Sequence, residues 1–193
     1  MGAVYTIGAY PKELSLRDGC VVTIRALLAG DESRLLDFFL SISDEERYFL
    51  KDDVTSPAVI RTWTSHLDYD RALPIVALDG ERIVAEAVLV RKRGNARSHI
   101  GEVRVTVAPG WRERGLGTAL IRELCDIADD AELDKVLFEV VADCEAPALQ
   151  AAEAIGFVRI GAIEGGARDQ WGHLHDVLIL AMPLGKYYRW SKY

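Results

Sequence analysis

The sequence predicts a single α/β domain in which a mixed sheet of about six to seven strands is flanked by helices. Two patterns predict this class. An apolar strand, a glycine-bearing turn, an amphipathic helix and a second buried strand follow one another over residues 100–142, which is the spacing of a right-handed crossover between parallel strands. Two further apolar runs flank Asp79-Gly80, a turn typical of an antiparallel hairpin.

The composition fits one globular domain over residues 1–193. Half of the residues are hydrophobic and 27% are charged, and the length suffices for one buried core but not for two full-sized domains. The net charge of −7 disfavours nucleic acid as a partner. No apolar stretch reaches the roughly 20 residues of a membrane span, and the three separated cysteines lack zinc-site spacing. We expect a cytoplasmic protein without metal or membrane contact.

The N-terminal part is predicted to hold an extension, a strand and a helical block. Residues 1–20 are treated as an N-terminal extension, and residues 21–26 form a short strand. A helix begins at Gly30-Asp31-Glu32-Ser33, with apolar residues at steps of three and four. Ser43 to Glu46 has capping-box spacing and opens a second helical stretch, and Ser56-Pro57 precedes a third over about 57–67.

The central part is predicted to form the sheet and its main helix. Residues 74–78 and 82–90 are the two strands of the hairpin, and residues 100–107 form a further strand that ends before Pro109-Gly110. The helix that begins near Gly115 carries one apolar stripe. Residues 135–142 are apolar on both faces, as a strand covered on both sides requires.

The C-terminal part is predicted to hold a helix, two strands and a tail. Pro147 lies early in a helix that ends at Ile155-Gly156. Two strands, 158–163 and 174–182, frame a charged loop rich in glycine. Residues 185–193 are an aromatic and basic tail that we expect to pack on its own domain, with a homodimer contact as the extension of that idea.

One motif favours an anionic ligand. Arg112-Glu113-Arg114-Gly115-Leu116-Gly117 lies between a strand and a helix, where unpaired N–H groups and the helix dipole converge. A Walker loop would need Gly-Lys-Ser/Thr, and a dinucleotide fingerprint would need a small residue in place of Leu120. The two glycines let the backbone approach a pyrophosphate, and the two arginines add positive charge. The alternative is a tight turn that binds nothing.

The pattern Val105-x-Val107-x-Pro109-x-x-Arg112-x-x-Gly115-x-Gly117 resembles the acyl-CoA-binding motif of the GNAT superfamily of N-acetyltransferases. The order of elements from Thr23 to Phe157 resembles the same family. The resemblance implies a GNAT fold, splayed between the fourth and fifth strands, and acetyl-CoA as co-substrate. It also implies the residues that hold this co-substrate: Val105, Thr106, Val107, Arg112, Arg114, Gly115, Leu116, Gly117, Thr118, Glu145 and Ala148.

Glu102 is the candidate catalytic residue. An amine attacks a thioester only as the free base, and a lysine-like ammonium with a pKa of about 10.4 is protonated near neutral pH. Strand alternation places Glu102 with Arg104 and Thr106 on the face opposite the valines of the same strand. An acidic residue there resembles the general base of several GNAT enzymes. The alternative is a carboxylate that faces water or pairs with Arg104.

The chain departs from the family pattern at two positions. Ala152 stands where many members have a tyrosine that protonates the leaving thiolate, and Glu145 stands where an asparagine is frequent. A thiol with a pKa of about 8.5 is a tolerable leaving group without that acid. Cys144 lies close to the expected acyl group, but no histidine is near it in sequence, so we expect an unreactive thiol.

The acceptor is predicted to be an amine. Residues 38–48 and 102–111 are similar to the acetyltransferase domain of bacterial protein-lysine acetyltransferases, which implies a protein lysine. A small-molecule amine is the second reading, and a domain that binds acyl-CoA without turnover is the third. The loop residues His173, His175, Asp169 and Asp176 are expected to line the acceptor pocket and not to bind a metal, with Trp171 as one wall.

Overall fold

The computed structural model describes residues 10–91 and 96–185, in which eight strands form one mixed sheet. The strands are β1 Lys12–Ser15, β2 Val21–Ala26, β3 Ala72–Asp79, β4 Arg82–Arg91, β5 Ile100–Val107, β6 Lys135–Val141, β7 Val158–Arg168 and β8 Leu174–Pro183. The helices are α1 Glu32–Leu40, α2 Asp44–Arg47, α3 Pro57–Ser65, α4 Leu116–Asp130 and α5 Ala146–Ala154. The strand order is β1-β2-β3-β4-β5-β6-β8-β7. The predicted α/β class is confirmed.

The strand count is higher than predicted, and this moves the splay by one strand. Lys12–Ser15, inside the predicted N-terminal extension, pairs with β2 as an edge strand. Four residues are too few for alternation to reveal a strand in the sequence. The parallel pair that parts is therefore β5 and β6, the fifth and sixth strands, and not the fourth and fifth.

The opening between β5 and β6 follows from their short pairing. The two strands pair in parallel over three positions only, from Ile100 with Lys135 to Glu102 with Leu137. Strand β5 continues to Val107 and β6 to Val141, whereas every other neighbouring pair in the sheet is antiparallel. Residues 103–107 and 138–141 thus face each other across a gap.

Each face of the sheet has its own apolar core. One cluster packs α4 and α5 against residues such as Ile75, Leu89 and Val103. The other packs α1 and α3 against Val76 and its neighbours. The valines predicted on one face of β5 belong to the first cluster, so the predicted alternation is confirmed. The polar residues of β5 face the α1–α3 side. Glu86 of β4 is paired with both Val76 of β3 and Thr106 of β5, and paired residues point to the same face of the sheet.

The helices begin near the predicted positions, but the last loop is shorter than predicted. Ser43 accepts a hydrogen bond from the Glu46 N–H, as in a capping box. Strand β7 runs on to Arg168, with a register shift between Ile163 and Ala167 that absorbs Gly165 at φ +58°. The glycines that suggested a loop therefore form a bulge, and the loop spans residues 169–173.

Two expectations lie partly outside the described residues. The aromatic and basic tail beyond residue 185, with the homodimer contact assigned to it, and the first nine residues are not described. Among the described helices, none is long and apolar enough to cross a membrane.

Candidate active site

The edges of β5 and β6 that face the gap form the first part of the site. Val105, Thr106 and Val107 are half-buried and lie on β5 beyond its last pair with β6. Backbone N–H and C=O groups at such an edge need hydrogen-bonding partners, and an extended ligand that carries amides can supply them. The three residues predicted for the donor on β5 are therefore brought to one place.

The N-terminus of α4 supplies uncapped donors next to this edge. Gly115 is the N-cap and makes no side-chain capping hydrogen bond. The helical ladder begins with the bond from the Ala119 N–H to the Gly115 carbonyl, at 3.0 Å. The N–H groups of Leu116, Gly117 and Thr118 thus have no partner inside the helix. The Leu116 side chain is buried in the core, so only its backbone can meet a ligand.

The two glycines of the motif have different reasons to be glycine. Gly115 has φ +85°, and a Cβ there would meet the Arg17 side chain at 3.2 Å. A Cβ on Gly117 would meet only Val107, at an ordinary 3.5 Å. No described protein atom therefore requires glycine at 117, although glycine in a helix is less favourable than alanine by about 1 kcal/mol. Close approach of an anionic ligand to Gly117 stays a prediction.

Both arginines of the motif are already paired with carboxylates. Arg112 donates from Nε to the Val107 carbonyl at 3.1 Å, and its guanidinium binds Glu46 of α2. Arg114 binds Asp18 at 3.1 Å and lies over the Trp111 ring at 4.9 Å. The charge that the turn offers an anion is therefore mainly that of the helix N-terminus. Direct contact of either arginine with the donor stays a prediction.

Glu102 lies where the gap begins and is bound to two cations. It accepts a hydrogen bond from Lys51 Nζ at 2.6 Å and another from Arg104 Nε at 3.0 Å. Burial raises the pKa of Glu102, but the Lys51 hydrogen bond and the two positive charges outweigh burial, so its pKa lies below the usual value. The alternative pairing with Arg104 is present, and Glu102 is also oriented toward an ammonium group. Its role as a base stays a prediction.

Lys51 was not anticipated from the sequence. It lies in the segment between α2 and α3 and also donates to Glu139 of β6, at 2.8 Å. These contacts join residues 51 and 88 positions apart in the chain. No local pattern carries information over such separations, so only the fold brings Lys51 to the gap.

The start of α5 borders the far end of the gap. Glu145, the N-cap residue, accepts a hydrogen bond from the Val141 N–H at 2.7 Å. Burial raises the pKa of Glu145, although that hydrogen bond lowers it. Ala148 is half-buried beside it, and Ala152 is fully buried in the core. The Glu145 carboxylate therefore satisfies the end of β6, and contact of Glu145 or Ala148 with the donor stays a prediction.

The loop between β7 and β8 and the first residues of β8 hold His173 and His175. Asp169 accepts hydrogen bonds from the His173 N–H, at 2.8 Å, and lies 3.5 Å from His175 Nε2. The rings of Phe49 and His175 are nearly perpendicular, with centroids 5.7 Å apart. Asp176 lies apart from this group and accepts a hydrogen bond from the Gly165 N–H. Three of the four predicted loop residues therefore cluster.

The surroundings of Cys144 differ from those expected. His175 Nδ1 lies 3.7 Å from the Cys144 sulfur and 3.0 Å from Asp143, so β8 supplies a histidine that the local sequence lacks. Burial and the nearby negative charges, that of Asp143 first, raise the pKa of the Cys144 thiol. A protonated thiol is a poor nucleophile, and the unreactive Cys144 stays a prediction. Residues 10–91 and 96–185 hold no group of three metal ligands.

A family model and a curated relative match parts of this chain. A family model described as the acetyltransferase (GNAT) family matches residues 36–157. The chain is 29% identical over 84 residues to the L-amino acid N-acetyltransferase AaaT of Escherichia coli (strain K12), and the match covers 43% of this chain and 51% of that protein. The chain thus spans about half the length of this curated relative.

Solved structures share the fold over most of the chain. The GNAT domain of S. lividans PAT superposes with a TM-score of 0.76 at 22% identity, covering 90% of this chain and 96% of that one. The ribosomal-protein-S5-alanine acetyltransferase of Vibrio fischeri superposes with a TM-score of 0.75 at 13% identity, covering 86% and 94%. At these identities the likeness establishes the architecture.

Proposed function

The chain belongs to the GNAT acetyltransferase family, and we propose that it transfers an acetyl group from acetyl-CoA to a primary amine by direct attack, with Glu102 as general base. The observation that carries the proposal is the position of Glu102. It holds an ammonium group at the last paired position of β5 and β6, where the gap opens.

The gap and the helix N-terminus suit two different parts of acetyl-CoA. The pantetheine arm is extended and carries two amides, which match the unpaired edges at 103–107 and 138–141. The pyrophosphate suits the free N–H groups at the start of α4. The thioester would then lie in the gap, beside the polar face of β5.

The chemistry needs a proton acceptor beside that thioester. The incoming ammonium displaces Lys51 from Glu102 and passes a proton to the carboxylate. The neutral nitrogen attacks the thioester carbon, the C–S bond breaks and an amide forms. The departing CoA sulfur collects a proton from water, because the buried Ala152 offers none.

The groups around the gap support a protein lysine as the acceptor. Glu102 and Glu139 lie close enough to share one ammonium, which suits the flexible amine of a protein lysine. The sequence similarity to protein-lysine acetyltransferase domains supports this class. A free amino acid is the second candidate, because the half-exposed Arg104 beside Glu102 suits its carboxylate and because the Escherichia coli relative is named as an L-amino acid N-acetyltransferase.

Glu102→Gln tests the assignment of the base. We expect kcat to fall by about 10²-fold or more, because the variant accepts no proton, while the affinity for acetyl-CoA stays the same. CoA release is measured with protein lysines, free amino acids and small amines as acceptors. Glu123→Gln is the matched control, since Glu123 also binds a lysine but lies on α4, away from the gap.

The same panel separates the remaining readings. A protein that binds acetyl-CoA but releases no CoA with any amine would overturn the transferase proposal in favour of an acyl-CoA-binding domain. Turnover with lysine-bearing proteins alone supports the first acceptor class, and turnover with free amino acids alone supports the second. Full activity in Glu102→Gln would remove Glu102 as the base.

A further inference from the structure

Lys51 lies in the position that the proposed function assigns to the acceptor amine. Its Nζ joins Glu102 on β5 to Glu139 on β6, and so crosses the gap at the point where the two strands part. The positive charge of Lys51 also acts on Glu145, at the far end of the gap, and partly offsets the rise that burial causes in the pKa of its carboxyl group. The chain therefore presents one of its own primary amines to its own candidate base.

We propose that Lys51 is a site of self-acetylation, modified in cis by the active site that holds it. This inference rests on the proposed function, because it uses the same donor and the same base. The acceptor in this case is a residue of the chain, 40% exposed at its side chain and in the segment that links α2 to α3.

The step balances with acetyl-CoA as the only co-reactant. The Lys51 ammonium gives one proton to Glu102, and the neutral nitrogen forms a bond with the thioester carbon. The carbon–sulfur bond breaks, and the sulfur leaves with its electron pair. The nitrogen loses its second proton to water as the amide forms, and the sulfur takes up one proton from water. The products are N-acetyl-lysine, free CoA and one proton released to solvent, and neither an oxidant nor a reductant takes part.

The ion pairs of Lys51 make spontaneous acetylation unfavourable. Burial lowers the pKa of Lys51, but the hydrogen bonds to Glu102 and Glu139 outweigh it and raise the pKa above the usual value. A more strongly protonated amine is a poorer nucleophile in solution. Rapid modification of Lys51 would therefore indicate catalysis by Glu102 on a bound thioester. It would not be explained by the intrinsic reactivity of the Lys51 side chain.

Acetylation would also change the entrance to the gap. An acetylated Lys51 carries no positive charge and cannot bridge two carboxylates as an ammonium does. Glu102 and Glu139 would then be free to bind an incoming amine. The modification would convert a chain that occupies its own acceptor site into one that is open to a substrate.

The test is peptide mass spectrometry of the full-length protein incubated with acetyl-CoA and no added acceptor. Lys12 is the internal reference, because its side chain is also 40% exposed and also paired with a glutamate, but far from the gap. We expect Lys51 to gain one acetyl group at least about tenfold faster than Lys12, at a rate independent of protein concentration. In Glu102→Gln the rate at Lys51 should fall by about 10²-fold.

Two further arms separate cis from trans and chemical from enzymatic modification. Lys51→Arg keeps the ion pairs, and should release no CoA in the absence of an acceptor, whereas the wild type releases about one equivalent. Glu102→Gln mixed with wild type should stay unmodified at Lys51. Heat-unfolded protein gives the chemical rate at both lysines. If Glu102→Gln does not fold, as judged by circular dichroism, the wild-type ratio of Lys51 to Lys12 decides.

Each outcome has one meaning. Equal rates at Lys51 and Lys12, or equal rates in wild type and a folded Glu102→Gln, would overturn self-acetylation. Modification of Glu102→Gln by wild type would overturn the cis mechanism. An unmodified Lys51 in a protein that acetylates added amines overturns this inference and leaves the proposed function intact. If no CoA is released, whether Lys51 or an added amine is the acceptor, the proposed function itself is overturned.

Discussion

Glu102 shows how a half-buried carboxylate can stay ionised. Burial alone would raise its pKa, and the hydrogen bond from Lys51, together with the charges of Lys51 and Arg104, holds the pKa low. In the proposed mechanism, an acceptor that displaces Lys51 brings its own ammonium, which keeps Glu102 ionised until the proton moves. Glu102 would then become a stronger base as the acceptor nitrogen loses its charge.

Gly115→Ala and Gly117→Ala should affect stability in opposite directions. Gly115 has a positive φ and Arg17 lies close to its missing side chain, so alanine there should cost about 1–3 kcal/mol. Gly117 is not in that backbone region and meets only Val107. Its alanine variant should equal the wild type or exceed it by up to about 1 kcal/mol. Urea denaturation of the ligand-free protein checks both, and equal losses would contradict the assignment.

At the scale of elements, the proposed donor site depends on the N-terminus of α4. The sequence predicts it, because a strand, a turn with two glycines and an amphipathic helix are all local patterns. The pairing of Arg112 with Glu46 was not predictable, since it joins residues 66 positions apart. Local patterns predict where a ligand can bind and leave out the long-range ion pairs beside it.

Gly117→Asp should separate helix stability from donor binding. A carboxylate in the first turn of α4 interacts favourably with the helix dipole, so the ligand-free protein should lose little or no stability. The same charge would occupy the place proposed for the pyrophosphate, and the Kd for acetyl-CoA should rise about tenfold or more. Calorimetric titration measures it.

Gly110→Asp is the control for this charge. Gly110 lies in the exposed turn before the motif, and no atom lies within 4 Å of where its Cβ would be. The Gly110→Asp variant should bind acetyl-CoA with a Kd within about twofold of that of the wild type. Equal weakening in both variants would mean that the effect is one of net charge, and that α4 does not hold the donor.

At the scale of the whole molecule, the sequence predicts more of the sheet than of the proposed acceptor site. Buried strands, a hairpin turn and a crossover helix have recognisable local patterns, and the α/β class follows from them. The proposed acceptor site is assembled from Phe49 and Lys51, from the edges of β5 and β6, and from His175 at the start of β8. Side chains brought together from distant segments leave no periodicity, so Lys51 and the pairing of Cys144 with His175 emerge only from the fold.

Glu86 links the whole fold to pH. It lies on β4 with 6% of its surface exposed, and burial raises its pKa to about 8, although the Arg104 charge lowers it. An unfolded glutamate has a pKa of about 4.3, so the folded chain binds a proton that the unfolded chain has released between these values. Because the folded state binds this proton more tightly, the contribution of Glu86 to stability is greatest below about pH 4.3 and falls as pH rises toward 8.

Glu86→Gln should remove this dependence. From pH 5 to pH 7, the free energy of unfolding of the wild type should fall by about 1 kcal/mol per pH unit relative to the variant. Urea denaturation at several pH values measures the difference. Glu13→Gln, which changes an exposed glutamate of β1, should run parallel to the wild type. Parallel curves for Glu86→Gln would mean that Glu86 is ionised in the folded protein.

The gap between β5 and β6 also decides how this chain can be redesigned. Backbone N–H and C=O groups are common to all residues except proline, which lacks the N–H, so most substitutions along 103–107 and 138–141 leave the edges intact. The proposed acceptor site consists of side chains from separate segments, and each can be changed alone. If the proposed function holds, a mutant library confined to Phe49, Lys51, Trp171 and His173 should vary the preferred amine in directed evolution and leave the binding of the acyl donor unchanged.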